Sequence, residues 1–296
     1  MPNYAVNEVI IHAKGKKLEE ILNSIRRDGD VFGSIDFNKL IPMPESLNLA
    51  AGSITQHSVC AFISHIHAQG QAAIEQQTDE LFTAMQITKG FLAGASYRMS
   101  EEEITKLAVR YDKTPEEFIA LGKQYVDNMK EHGAAHWYEW ASKHWGTKWN
   151  VVEGNHLTAP NTLRFETAWD APHPILLALS KKFPKVSFEH AWANEDLGVG
   201  VGANVYLAGK ITKQNLPRVE SAKAYEMAAD LWGYNLAEMN YRHDPKHDTY
   251  VYDESMEQEA PAAHPPLTEQ IGSAEGRSTG SLLNSEQKEK GNEPQR

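Results

Sequence analysis

Three stretches lying far apart in the chain alternate apolar and polar residues at the period of a half-buried strand: YAVNEVII near the start, LRFETAW from residue 163 and VSFEHAW from residue 186. An isolated strand leaves its amides and carbonyls unpaired, so the first stretch must find partners across the long helical region that follows it. In the first stretch Tyr4, Val6, Glu8, Ile10 and His12 point one way, and Ala5, Val9 and Ile11 the other. In the second, Leu163, Phe165, Thr167 and Trp169 share a face, and in the third Val186, Phe188, His190 and Trp192 do.

Between and around these strands the period changes. KKLEEILNSIRRDG sets Leu18, Ile21, Leu22 and Ile25 on one stripe and stops at Gly29, which reads as an amphipathic helix; VFGSIDFNKLIPMP then reads as a second strand with a proline-bounded exit. PHPILLALSKKF reads as a helix between the two later strands, and SAKAYEMAADLWGY as a closing helix. In GVGVGANVYLAG, Val199, Val201, Ala203, Val205 and Leu207 line one face of a strand, while Gly198, Gly200 and Gly202 leave the other bare for a tryptophan ring, a helix or a ligand to approach. The order is therefore β-α-β, a helical insertion, then β-α-β-β and a helix. Two such halves predict an α+β fold of the ferredoxin-like, split βαβ kind with an antiparallel sheet.

The insertion carries its own start signals. Ser100 with Glu103, and Thr114 with Pro115 and Glu117, are capping boxes opening two helices. TQHSVCAFISHIHAQG, AAIEQQTDELFTAMQITKGFL and AAHWYEWASKHW read as further helices. The expected organisation is a ferredoxin-like domain from residues 1–50 and 145–252, a helical insertion at 51–144, and a disordered acidic tail at 253–296 whose Glu, Gln, Ser, Gly and Pro content cannot support a core.

Taken in order, MPNYAVNEVII, DFNKLIPMPESL, HWGTKWN, FETAWDAP and LSKKFP resemble the uncharacterised YubB-type ferredoxin-like family encoded by phages, plasmids and integrated elements of bacteria. The resemblance spans most of residues 1–212, and WGTKWN followed by TAW is its most specific part. It implies a ferredoxin-like fold and a mobile-element origin. It brings no catalytic residues.

The net charge is −11, with nine acids and four bases after Tyr252, so about −6 remains on the rest; this argues against broad attraction to phosphate backbones. Cys60 is the single cysteine, which excludes an intrachain disulfide and a cysteine zinc cluster. No basic segment followed by an apolar run opens the sequence and no stretch approaches the ~20 apolar residues of a membrane span, so a cytoplasmic protein is expected.

The candidate ligand or partner surface is Trp145, Lys148, Trp149, Trp169 and Trp192. Indoles beside an ammonium can stack bases, but tryptophans around a Gly146 turn are first of all anchors, and HWGTKWN is read as fastening the domain. Asp170, Glu195 and Asp196 fall at strand ends, where a carboxylate acid/base pair can be built. His132 and His136, with His144 two turns on, follow a helical row with Trp140, yet HGAAH lacks the metalloprotease glutamate; these two, and His57, His65 and His67 near Cys60, are weak metal candidates, and no metal or other cofactor is expected. RHDPKHD, with His243, Asp244, His247 and Asp248, reads as a solvated proline turn. No phosphate loop, nucleophile elbow or Rossmann fingerprint occurs. The expected function is non-enzymatic binding of a macromolecule; that the target is a host- or element-encoded protein, as in host takeover or counter-defence, is what the resemblance implies. The alternatives are a nucleotide or single-stranded nucleic-acid binder using the Trp145–Trp149 turn, and a metal- or carboxylate-dependent hydrolase.

Overall fold

In the computed structural model, which describes residues 3–89, 98–152 and 155–255, strand β1 (Tyr4–Ile11) lies at the middle of a six-stranded sheet ordered β2-β3-β1-β4-β5-β6. The others are β2 (His156–Ala159), β3 (Thr162–Ala168), β4 (Phe188–Asn194), β5 (Gly202–Leu207) and β6 (Lys210–Asn215). Every pairing is antiparallel: Asn7 stands opposite Phe165 on one side and Trp192 on the other. With helices α1 (Gly15–Ile25) and α8 (His173–Lys182) as the two crossovers, strands β2, β3, β1 and β4 make the ferredoxin-like split βαβ arrangement, and β5 and β6 extend it as a hairpin.

The alternation read from the sequence sets the layers. Val9, Ile11, Leu163, Phe165, Phe188 and Tyr206 point to one face, where they pack with Ile21, Leu22 and Ile25 of α1 and Ile175, Leu176 and Leu179 of α8. On the other face Val6 and Ala193 meet Ala228 of α9 (Ala222–Trp232). In β5 the buried face is the one carrying Gly202, Asn204 and Tyr206, while Ala203 and Val205 are half-buried and Leu207 is exposed. What approaches the glycines is now identified: a Cβ on Gly202 would run into the Trp192 indole, and one on Gly198 into the Tyr225 ring of α9. Gly198 and Gly200 have positive φ and lie before the strand rather than in it.

Several elements differ from the sequence reading. Residues 31–44 are not a strand. They form an irregular segment with a 3₁₀ turn at Phe37–Lys39, followed by a second turn at Glu45–Leu47. Ile35, Phe37 and Leu47 are driven wholly into the core, and side chains bond the backbone of Ile35 and the amide of Phe37. Asn155 accepts from Ile35 N at 2.8 Å and donates to Ile35 O at 3.1 Å, while Asn150 Oδ1 accepts from Phe37 N at 3.1 Å. The strand that completes the first β-α-β unit is β2, after the helices. Trp169 does not continue the inward face of β3, because its φ of +80° turns the chain out of the sheet. Strand β6 has six exposed residues and no apolar face to detect, and the hairpin of β7 (Tyr241–Asp244) and β8 (Thr249–Tyr252) was likewise hidden: the first three residues of RHDPKHD belong to β7 and only its last four make the turn.

The inserted helices are α2 (Ser53–Ala68), α3 (Gln71–Gln76), α4 (Thr78–Thr88), α5 (Glu101–Arg110), α6 (Pro115–His132) and α7 (Trp137–His144). Both capping boxes are formed: Glu103 N donates to Ser100 Oγ at 3.3 Å, Glu117 N to Thr114 Oγ1 at 3.2 Å, and each glutamate returns a bond to the cap amide. Helices α2 and α6 bury Val59, Phe62, Ile63, Ile66, Tyr125 and Val126 between them, and α5 adds Ile104 and Ala108 against Ala61 and Phe118. Trp140 and Ala141 of α7 instead join the core under the sheet. Met1–Asp253 forms one compact unit. The tail expected from residue 253 lies outside the described residues beyond Ser255.

Gly122 is where α6 comes closest to α2: a Cβ there would collide with the Ser58 carbonyl and reach 2.9 Å from Phe62 Cβ. Alanine is the better helix former by about 1 kcal/mol, but overpacking at a backbone crossing costs about 1–3 kcal/mol. Gly122→Ala is therefore expected to lower the urea midpoint; a raised midpoint would mean that α2 and α6 separate without penalty.

Candidate binding site

The HWGTKWN turn faces two ways. Inward, Trp145 is 4% exposed, donates its Nε1–H to Ile41 O at 2.9 Å, and meets Phe37 and Trp140 edge to face at 5.9 and 5.6 Å. Gly146, at φ +79°, lets the backbone pass Pro174 where a Cβ would lie 2.9 Å from the ring. Thr147 Oγ1 donates to Ala168 O at 2.6 Å, and Asn150 Nδ2 to Asp36 Oδ1 at 2.6 Å. These residues tie the turn to β3, to the start of α8 and to the irregular segment.

Outward, Lys148 Nζ lies 4.4 Å from the ring centre of Trp149, 5.0 Å from Trp169 and 5.9 Å from Tyr138. Tyr138 and Trp169 meet edge to face at 5.5 Å, so three rings surround one ammonium. Trp149 and Tyr138 are half-buried, whereas Trp169 is 39% exposed. A tryptophan in the left-handed region is strained, and the surrounding backbone holds it there. Trp169 N donates to Asn3 O at 2.8 Å, Lys148 N to Ala168 O at 3.3 Å and Thr167 Oγ1 to Asp170 O at 2.8 Å. Tyr138, supplied by α7, was not among the residues singled out; its position eleven residues before Trp149 gave no pattern linking the two.

Trp192 belongs to a different cluster, on the inner face of the sheet. It meets His173 edge to face at 4.5 Å and lies 5.1 Å from the His190 ring. Asn7 Nδ2 donates to Thr167 Oγ1 at 2.9 Å and to Ala5 O at 3.0 Å, which leaves Asn7 Oδ1 as the acceptor facing His190 Nε2 at 3.0 Å. His190 therefore carries its proton on Nε2, and its buried Nδ1 has no hydrogen-bond partner. Burial, and secondarily the neighbouring His173, hold its pKa down at about 3. Tyr206 lies 2.8 Å from His173 Nδ1 and receives Asn204 Nδ2 at 3.2 Å; burial pushes its hydroxyl up to about 12, and burial lowers the pKa of His173.

Asp170, Glu195 and Asp196 are all exposed and gather at the end of the sheet where β1 begins. Asp196 Oδ2 accepts from Asn3 Nδ2 at 2.7 Å, Glu195 N donates to Tyr4 O at 2.9 Å, and Asp170 Oδ1 accepts from Ala171 N at 2.7 Å. The histidine row is not one helix: α6 ends at Gly133 in the left-handed region and His136 caps the separate α7. His132 bonds Ser46 Oγ at 3.1 Å, His136 is buried against Tyr125, and His144 stacks on Trp140 at 4.4 Å. His57 Nδ1 lies 2.8 Å from Tyr111 Oη, and His65 Nε2 lies 2.8 Å from Gln69. Cys60 is buried, which raises its thiol pKa to about 11. His247 Nδ1 pairs with Asp244 at 2.6 Å within the β7–β8 turn. Among the described residues no three His, Cys, Asp or Glu side chains come together as a metal site, and no helix is long and apolar enough to cross a membrane.

The sheet order and its two crossovers define a ferredoxin-like α+β protein, here with a lysine-filled aromatic box beside the start of β1. Residues 144–235, from the end of α7 to just past α9, match the family described as the ferredoxin-like domain in Api92-like protein. A solved structure, protein api92 from Yersinia pseudotuberculosis, aligns at 11% identity over 74% of this chain and 99% of its own, with a TM-score of 0.30. No curated protein matches the chain significantly.

The two faces of the turn predict opposite responses. Trp145→Ala is expected to cost about 3–5 kcal/mol as a core truncation. For Trp169→Gly, relief of about 1–2 kcal/mol of left-handed strain offsets most of the lost partial burial, so stability stays within about 1 kcal/mol; thermal melts of the two variants check the ranking.

His190 predicts a pH dependence. An unfolded chain restores its ordinary pKa near about 6.5. Between that value and about 3 the unfolded state binds the extra proton, so stability is fully present above the upper value and falls as pH drops toward the lower. The slope is at most about 1.4 kcal/mol per pH unit, several kcal/mol in all. Urea unfolding at stepped pH is expected to show a steeper loss in the natural chain than in His190→Asn; identical profiles would mean that His190 is hydrated.

Proposed function

We propose that this chain is a non-catalytic macromolecule-binding protein whose contact surface centres on Trp169, Trp149, Lys148 and Tyr138. The observation carrying this reading is Trp169. A bulky residue is retained, partly exposed, at a backbone position where glycine is the comfortable choice, and strain of that kind gathers at functional sites. Partly exposed indoles with a polar rim are what contact hot spots are made of. The helical insertion at 51–144 gives such a surface a second wall through Tyr138.

The resemblance to the YubB-type family supports placing the protein in a bacterial mobile element, with a host- or element-encoded protein as its target. The second reading, a nucleotide or single-stranded nucleic-acid binder, is favoured by the ammonium of Lys148 beside two indoles, a pairing that holds a base and its phosphate. The overall charge of −11 weighs against it.

Affinity purification from a bacterial host with the natural chain and with Trp169→Gly tests the proposal. A stoichiometric partner recovered with the first and lost with the second is expected. A partner retained equally by both moves the contact surface elsewhere.

A further inference from the structure

The box around Lys148 is a cation site whose occupant belongs to the chain itself. Three rings stand 4.4, 5.0 and 5.9 Å from one ammonium, the enclosure by which aromatic cages hold alkylammonium and guanidinium groups. Lys148 is half-buried on a flexible four-carbon stem, and among the described residues no carboxylate is paired with it.

A second feature accompanies the first. Trp169 N is bonded to Asn3 O, the Asn3 side chain to Asp196, and Glu195 N to Tyr4 O, so the exposed Asp170, Glu195 and Asp196 lie at the same end of the sheet as Trp169. Lys39 and Lys130 engage Asp28 and Glu80 elsewhere, and no lysine or arginine is paired with these three carboxylates among the described residues. Carboxylates at the same end of the sheet as an aromatic box favour an approaching cation and repel a phosphate.

We propose that the box is a docking site for an arginine or lysine side chain of a basic protein segment, and that Lys148 is a resident plug which the incoming cation displaces. The inference rests on the proposed binding surface and names its partner chemistry. The plug makes the site selective: a weakly bound cation does not evict Lys148, whereas a segment whose flanking basic residues also engage Asp170, Glu195 and Asp196 does.

Tryptophan fluorescence of the full chain, titrated with a hexa-arginine peptide and separately with a six-nucleotide oligo-dT, tests this. The arginine peptide is expected to bind, about tenfold more weakly in Trp169→Gly, because a desolvated cation–π contact is worth up to about 2 kcal/mol and about 1.4 kcal/mol is tenfold. Lys148→Ala is expected to tighten peptide binding several-fold by removing the competitor, and the triple change Asp170→Asn, Glu195→Gln, Asp196→Asn to weaken it. If Lys148→Ala weakens peptide binding, or if oligo-dT binds and the peptide does not, the cation assignment is overturned while the surface itself stands. If Trp169→Gly changes neither titration, the surface reading fails along with it.

Discussion

The pairing of β1 with both β3 and β4 is the interaction on which the rest depends. Asn7 hydrogen-bonds across 160 residues to Thr167 and across 183 to His190, so neither half of the sheet exists until the chain has closed on itself. Such closure is less costly than its length suggests, because loop entropy grows only with the logarithm of length. The helices between α1 and β2 occupy that loop and carry buried clusters of their own, so the long connection adds its own packing rather than only entropy. The insertion also brings α7 back to the sheet, where Trp140 and Trp145 close the inner core.

Buried polar groups at the centre of this sheet give the pairing a direction. A strand slipped by one residue would turn Asn7 outward and leave His190 Nε2 and Thr167 Oγ1 without their partner. The cost of burying Asn7, Thr167 and His190 is thus recovered only in one register, whereas a wholly apolar face would tolerate neighbouring ones. Gly202 belongs to the same device. By removing a side chain beside Trp192 it leaves room for the indole against β5.

Much of this was legible as periodicity. The inward faces of β1, β3 and β4, the stripe on α1 and both capping boxes follow from side-chain spacing, which the sequence records directly. What was lost is what spacing does not encode. Residues 31–44 have the composition of a strand, but at Ile35 and Phe37 the backbone is bonded by Asn155 and Asn150, more than a hundred residues away, and most of its other bonds are local turns. Strand β6 is held by its hairpin with β5 and carries no apolar face. Trp169 fits the alternation of β3 by number, and only a change in the sign of φ places it on the surface.

That change of sign also explains why one tryptophan-rich turn serves two purposes. Trp145 and Trp149 are four residues apart, and on a continuing helix they would share a face. Gly146 breaks the helix, so Trp145 remains with the core of α7 while Lys148 and Trp149 are carried round to meet Trp169 coming off β3. Each side of the box is fixed by a backbone reversal, one glycine and one tryptophan in the left-handed region, and both reversals are pinned to Ala168 O, by Thr147 and by Lys148 N. Rings anchored in this way have little conformational entropy left to lose in any contact they make, unlike aromatic side chains that are exposed on a mobile backbone.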